Sequence, residues 1–412
     1  MDDDEIHGAL ATLFRRQAGR LVSALTRVLG VQRIDLAEDI VQESLLAALQ
    51  AWKLGLPRDP AAWLFAVARN RARDALRRER VRGVADIVGD ELEALEAPRP
   101  VGEPTDILRL MFSCCHPVLS EDGQTALILR LVCGFGPREV AHAFLIEPSA
   151  MEKRLVRAKR VLAADGRLLE VSTAAQARER LPAVLSAIYL MFDAGYHGSL
   201  SAEPMRGEIC ADAIHLGQML VDARATSCPE VHALLALMCL HAARMPARVD
   251  AHGSLVPLER QDRSRWDGDL VACGMRHLSA SANGRVLTAY HLEAGIAAQH
   301  AVAPSVEATR WDEIVRLYDL LYARKPTPVV ALGRAIARAQ IVGPGAGIDE
   351  LLSIEARDRL ESYPFFWAAL GDLALRAGQT SRARVWLERG ATTARNDAER
   401  KVFQRRLAEC GA

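Results

Sequence analysis

The chain of 412 residues is half apolar, enough to bury more than one hydrophobic core, which sets it apart from intrinsically disordered sequences. Its 52 basic and 52 acidic side chains cancel, so no global field draws it onto nucleic acid, and any such contact must come from local patches. The opening residues, MDDDEIHGALATLF, are acidic where a secretory leader is basic, and no apolar run approaches the length of a bilayer span, so a cytoplasmic protein with no membrane contact is expected.

From Ile6 to Leu29, an apolar stripe (Ala9, Leu10, Leu13, Leu21, Leu25, Val28, Leu29) alternates with Arg15, Arg16, Arg20 and Arg27, the pattern of one amphipathic helix or two. A second helix is written between Asp35 and Trp52. Ile40, Val41, Leu45, Ala48, Leu49 and Trp52 share one face, and Asp35, Glu38, Asp39, Gln42 and Glu43 share the other, which taken alone reads as a solvated acidic face. After the turn PRDP at residues 57–60, a basic helix runs from Ala62 to Arg80, and between Arg58 and Arg82 eight arginines face three acids. Leu64, Val67, Ala68, Arg71, Ala72, Ala75 and Leu76 form its packed side, leaving Arg69, Asn70, Arg73, Arg77 and Arg80 outward. Guanidinium groups suit phosphates, and Trp63 or Phe65 can stack on an unpaired base, although a tryptophan here is as readily a core aromatic.

Residues 83–105, GVADIVGDELEALEAPRPVGEPT, turn acidic and proline-bearing, which marks a linker between domains. Asp106 to Pro117 then lead into two short helices. Val140, Ala141 and Phe144 recur at helical spacing after Pro137, and Met151, Leu155, Ala158 and Leu162 recur after Pro148, each proline sitting where a first helical turn tolerates it. The tight turn at Leu145 to Pro148 places Glu147 to cap the second helix. If Met151, Leu155 and Ala158 face the core, the opposite face carries Ser149, Glu152, Lys153, Val156, Arg157 and Arg160. The pattern reads as a helix-turn-helix whose residues Ser149, Ala150, Glu152 and Lys153 would reach base edges in a major groove while the arginines meet phosphates; the alternative, a solvated charged face on a structural helix, is made less apt by the complete two-helix pattern.

The half of the chain from Ala174 onward is helix after helix. Leu181 to Tyr196 and Pro229 to Arg244 are apolar on most sides and read as interior helices. A tetratricopeptide-like unit begins at Pro364, with Trp367, Leu370, Gly371, Gly378, Ala383 and Leu387 on its offsets, and a looser one passes through Tyr318, Pro326, Leu332, Gly333 and Ala335. Between them and the interior helices lies a polar island, ERQDRSRWD at residues 259–267, which reads more readily as an ion-pair network pinning a loop than as a catalytic cluster. The eight cysteines form no CxxC pair, and a zinc site drawn from Cys114, Cys115, His116, Cys210 and His215 lacks ligand spacing, so buried thiols and no metal or other cofactor are expected.

Four motifs carry a resemblance. AEDIVQE at residues 37–43, WLFAVARN at 63–70, and EVA at 139–141 with KRLVRAK at 153–159 resemble bacterial sigma factors of the extracytoplasmic-function type. QDRSRWD at 261–267 is similar to a signature of the subgroup with a long helical C-terminal extension, with Arg260 standing where that subgroup carries an acid. The resemblance implies that Asp35, Asp39, Gln42 and Glu43 bind the clamp helices of the RNA polymerase largest subunit. It also implies that Trp63, Arg69, Asn70, Arg73 and Arg77 read and melt the minus-10 element, and that the helix-turn-helix, through Ser149, Ala150, Glu152, Lys153, Arg157 and Arg160, reads the minus-35 element. The linker would run in the polymerase channels.

The expected fold is therefore all-α: a region 2-like domain over residues 1–82, an acidic linker over 83–105, a region 4-like helix-turn-helix over 106–171, and a larger tetratricopeptide-like helical domain over 172–412. The expected function is promoter-specific transcription initiation without covalent chemistry, with RNA polymerase core and promoter DNA as partners. The C-terminal domain would regulate it and take a protein or ligand partner of its own. Two other readings use the same residues: a DNA-tethered small-molecule-binding or enzymatic module, and a conventional helix-turn-helix regulator. The helix from Asp35 to Trp52 speaks against the latter, since an operator binder has no use for a clamp-binding face.

Overall fold

The computed structural model describes residues 3–81, 104–144, 146–165, 174–197, 206–250 and 254–411. These residues hold nineteen α-helices and no strand, in keeping with the all-α expectation. The linker at 83–105 falls outside the described residues except for its last two, which begin a helix. Contacts divide the chain into two compact units, one of residues 1–191 with 222–226 and the other of 192–221 with 227–412.

The N-terminal unit is built on α1 (Asp3–Leu29), a single helix rather than two. Its neighbours are α2 (Ile34–Ala51), α3 (Pro60–Val81), α4 (Pro104–Cys114) and α5 (Glu121–Leu131). Because partners surround it, six consecutive residues, Leu21 to Thr26, are buried, and the amphipathic stripe closes into an all-round core at that level. Ser23 is tolerated there since its hydroxyl donates to the Gly19 carbonyl at 2.7 Å. On α2, Ile40, Val41 and Ala48, with Trp52 just beyond it, are buried as the spacing predicts, whereas Leu45 is half-buried and Leu49 exposed, and Ile34, Ala37 and Ser44 extend the buried stripe instead.

The segment expected to form a helix-turn-helix folds as α6 (Pro137–Ala143) and α7 (Pro148–Asp165), with both prolines at the starts foreseen. Glu139 closes the first turn of α6 by accepting the Gly136 N–H at 2.8 Å. At α7 the capping group of Glu147 is its main-chain oxygen, which accepts from the Ala150 and Met151 N–H groups, rather than its carboxylate. The first turns of α8 (Ala174–His197) belong to this unit too: Ala183 O accepts from the Thr125 hydroxyl, and Arg180 donates to Phe112 O at 3.1 Å.

In the C-terminal unit, α10 (Pro229–Ala242) is buried on nearly every side, following α9 (Gly207–Asp222) and preceding the single turn α11 (Met245–Arg248). It packs on α12 (Gly268–Ser281) and α13 (Ala289–Val302). From there each helix packs on the next, through α14 (Trp311–Arg324), α15 (Pro328–Val342), α16 (Pro344–Leu352), α17 (Pro364–Arg376), α18 (Thr380–Thr393) and α19 (Asp397–Glu409). The small residues picked out in sequence lie where these helices approach. A Cβ on Gly371 would come within 2.5 Å of the Leu387 side chain, one on Gly333 within 2.6 Å of the Tyr318 hydroxyl, and Gly378 turns the chain between α17 and α18 at φ +71°. Trp367, Leu370, Ala383 and Leu387 share the core of that hairpin.

Candidate functional site

The acidic helix α2 presents Asp35, Asp39, Gln42 and Glu43 to solvent. They differ in what holds them. Asp35 accepts from Lys159 Nζ at 2.5 Å, and Glu43 accepts from Arg71 of α3 at 2.5 Å, whereas Asp39 forms no ion pair with any described residue. Glu38 is corrected: sequence periodicity placed it on the solvated face, but it is buried. Arg130 of α5 donates to one of its oxygens and Lys159 of α7 to the other, both at 2.9 Å, which compensates the charge the interior would otherwise reject.

On α3, Leu64, Ala68, Ala72 and Leu76 are fully buried, so the packed side is the one the spacing predicts. Asn70 and Arg77 are exposed, while Arg69 and Arg73 are half-buried, and Arg73 donates to the Asn70 side chain at 3.3 Å. Trp63 is half-buried, packed edge-on against Trp52 at 5.4 Å, and Trp52 in turn meets Phe14 of α1 at 5.6 Å. One side of its indole is thus fixed by core aromatics while part of the ring remains accessible.

Met151, Leu155, Ala158 and Leu162 of α7 are buried, and the face opposite is open. Ser149, Ala150, Glu152, Lys153, Arg157 and Arg160 are all exposed. Arg154 lies aside from that face, stacked over Phe144 at 5.7 Å and 3.4 Å from the Asp122 carboxylate. The cations of the open face, Lys153, Arg157 and Arg160, can meet a polyanion without first breaking a described ion pair.

What sequence reading missed is the set of charges joining α1 and α2 to the helix-turn-helix half of this unit. Arg15 of α1 stacks over Phe135 and donates to Glu139 at 2.9 Å, Arg27 meets the buried Asp106 at 3.1 Å, and Arg130 and Lys159 converge on Glu38. Lys159 closes the KRLVRAK stretch, yet it points away from the open face. Its position three turns along from Ser149 on the Leu155 side was the available signal, since a cation on the packed side of a helix needs a buried acid to meet it. Burial alone would lower the Lys159 pKa, but the Asp35 and Glu38 carboxylates outweigh it and hold the ammonium above the ordinary lysine range.

The QDRSRWD loop in the C-terminal unit is pinned mainly by hydrogen bonds to main chain rather than by ion pairs. Asp262 Oδ1 accepts the Ser264 N–H, Asp267 Oδ1 caps α12 by accepting from Asp269 and Leu270 at 3.0 Å, and Arg263 donates to the His300 and Ala303 carbonyls at the end of α13. Arg260 reaches Glu409 at 3.1 Å. Among the thiols, burial first, and beside it the charge of neighbouring Cys133 and Cys115, pushes Cys114 up, and burial pushes Cys115 and Cys210 up to about 12; these are inert core groups.

Comparison with known proteins accords with this layout. Residues 13–82 match the Sigma-70 region 2 family, the helices α1 to α3 that carry the acidic and the basic faces. Residues 180–282 match a family of unknown function, DUF6596, which takes in the QDRSRWD loop. No solved structure matches the chain. Over 405 residues, 95% of each chain, it is 35% identical to the uncharacterised protein R00370 of Rhizobium meliloti (strain 1021). No described helix is long and apolar enough to cross a membrane. With that near-complete coverage, the chain belongs to one family with R00370, and its N-terminal part is a region 2 of the sigma-70 kind.

Proposed function

We propose that the chain is an RNA polymerase sigma factor of the extracytoplasmic-function type, in which Asp35, Asp39, Gln42 and Glu43 bind the clamp of polymerase core. In this reading, the α3 residues Trp63, Arg69, Asn70, Arg73 and Arg77 engage the minus-10 element, and the open face of α7 engages the minus-35 element. The C-terminal tetratricopeptide-like unit regulates initiation. One observation carries the reading: the segment matching Sigma-70 region 2 is the segment that exposes an acidic face on α2 beside a basic face on α3. The outward face of α7 supports the minus-35 assignment because its cations and its N-terminal polar residues lie on one accessible side. Capturing a flipped base and tracking a freed strand needs stacking and charge but no bond chemistry, so no catalytic group is assigned.

Asp39 offers the cleanest test because it is exposed and forms no ion pair with a described residue. Asp39→Arg should abolish co-purification with polymerase core and run-off transcription while leaving circular dichroism and binding of α7 to duplex DNA unchanged. Retention of core binding by a natively folded Asp39→Arg chain would remove α2 as the polymerase contact. Failure of the wild-type chain to bind core at all, with duplex binding intact, would favour the conventional regulator.

A further inference from the structure

The C-terminal unit encloses a cavity of about 500 Å³ that no part of the transcription reading uses. This is within the range of sites that enclose small organic ligands. Its walls come from the end of α8, from α10 and α11, from α13 to α15, from α17 to α19, and from the segment Leu255 to Gln261 that leads into QDRSRWD. The middle is apolar, lined by Ile314, Ile336, Ala369, Leu373 and Phe403 among others.

The two ends differ in charge. At one, Asp372 neutralises Arg376 and Arg406, and Arg406 is also held by Glu409, so the cations there are already paired. At the other, Arg244 and Arg248 stand together, and no carboxylate of a described residue lies within ion-pair distance of either. Arg244 donates to Gln261 Oε1 at 3.3 Å, and Arg248 donates to the Tyr196 carbonyl at 2.7 Å while its guanidinium lies 3.7 Å from the Tyr196 ring centroid. Neutral partners satisfy geometry but leave two positive charges uncompensated. His241 and His300 line the same end, and the Nδ1 of each is buried without a hydrogen-bond partner. Burial first, then the arginine charges, pushes His300 down to about 3 and drives His241 down as well, so neither adds a charge of its own. Burial, with the charges of Arg248 and Arg263 beyond it, likewise lowers Arg244. A pair of desolvated guanidinium groups facing an apolar chamber is costly without a counter-charge, and an anion supplied from outside offsets that cost.

We propose that this cavity is a binding site for a small organic anion, its oxyanion group between Arg244 and Arg248 and its apolar body in the chamber bounded by Ile314, Ala369 and Phe403. The site makes the C-terminal unit a ligand receptor. This assignment is independent of the transcription reading, since its test is binding by the isolated full chain.

Two fluorescent dyes of similar size separate charge from apolarity: the anion 8-anilinonaphthalene-1-sulfonate and the neutral N-phenyl-1-naphthylamine. In equilibrium titrations of the full chain, the sulfonate should saturate a single site and the neutral dye should displace it. Arg244→Gln and Arg248→Gln should each weaken the sulfonate by about tenfold or more, the scale of one lost charge-assisted hydrogen bond, and leave the neutral dye within about twofold. Arg244→Lys, which keeps the charge, should retain the sulfonate and stands in if a glutamine variant does not fold. Ala369→Trp, which occupies the chamber, should remove both dyes. Three outcomes overturn the proposal: no saturable binding of the sulfonate, sulfonate affinity unchanged in folded Arg244→Gln and Arg248→Gln, or binding that survives Ala369→Trp.

Discussion

Gly19 lies where α1 passes the end of α5 so closely that a Cβ would overlap the Val132 carbonyl oxygen. The obstacle is main chain, which cannot swing aside as a side chain can, so Gly19→Ala should destabilise the N-terminal unit by about 2 kcal/mol or more despite the better helix propensity of alanine. Gly268→Ala is the control, because nothing lies within 4 Å of its added Cβ and α12 should gain slightly. Amide hydrogen exchange of the two units, read separately, checks both; equal protection of α1 and α5 in wild type and Gly19→Ala would refute the close-approach argument. Lys159 poses the same question in charge. Lys159→Met leaves Glu38 buried with Arg130 as its one remaining cation and should cost about 1–3 kcal/mol in the N-terminal unit. Since the folded Lys159 pKa lies above its unfolded value, the contribution is complete below the unfolded lysine pKa of about 10.4 and disappears as pH rises through the folded value. Wild type should therefore lose protection more steeply than Lys159→Met above about pH 10, and parallel losses would mean that the ammonium is not what holds the two halves.

Among the elements, the helices α6 and α7 were legible because two prolines, two short apolar stripes and an outward cationic face are all local signals, and they place both helix starts and the open face of α7. On α2 the spacing placed Ile40, Val41, Ala48 and Trp52 correctly inside, but not Glu38, which Arg130 and Lys159, both far along the chain, meet on the buried side while Leu49 is left exposed. No period in the α2 sequence carries that information. The QDRSRWD loop was legible as a pinned segment but not in its chemistry, since the acceptors are carbonyls of α13, about forty residues away, which composition cannot reveal. Asp267 is the clearest local part of it. Its carboxylate takes two N–H groups at the start of α12, and Asp267→Ala should cost about 1 kcal/mol, while Asp267→Asn or Asp267→Ser should recover most of that. Urea denaturation followed by circular dichroism would measure it, and an alanine variant as stable as wild type would leave the cap without energetic weight.

For the whole molecule, the informative boundary is inside α8. Sequence composition places the end of the helix-turn-helix part near Val171, but the contacts carry the N-terminal unit on to Met191, because Arg180 donates to Phe112 O and the Thr125 hydroxyl is satisfied by Ala183 O. Leu181, Val184, Leu185 and Ile188 are buried along the same stretch. A chain cut after Val171 thus loses more than its C-terminal unit: it strips a buried helical face, removes the acceptor of the Thr125 hydroxyl and takes one of two donors from Phe112 O, which costs on the order of several kcal/mol in apolar burial alone. A chain cut after Met191 keeps those contacts. The two truncations should behave differently, the shorter unfolding or aggregating and the longer retaining helix content with protected α4 and α5 amides. Only the longer chain can then report on regulation. If the C-terminal unit governs initiation, residues 1–191 should bind duplex DNA as the full chain does, yet support run-off transcription at a rate altered severalfold in one direction. Equal transcription by residues 1–191 and the full chain, with DNA affinity unchanged, would make the C-terminal unit a passenger in initiation. Equal stability of the two truncations would show instead that the Arg180 and Thr125 contacts contribute nothing to the N-terminal unit.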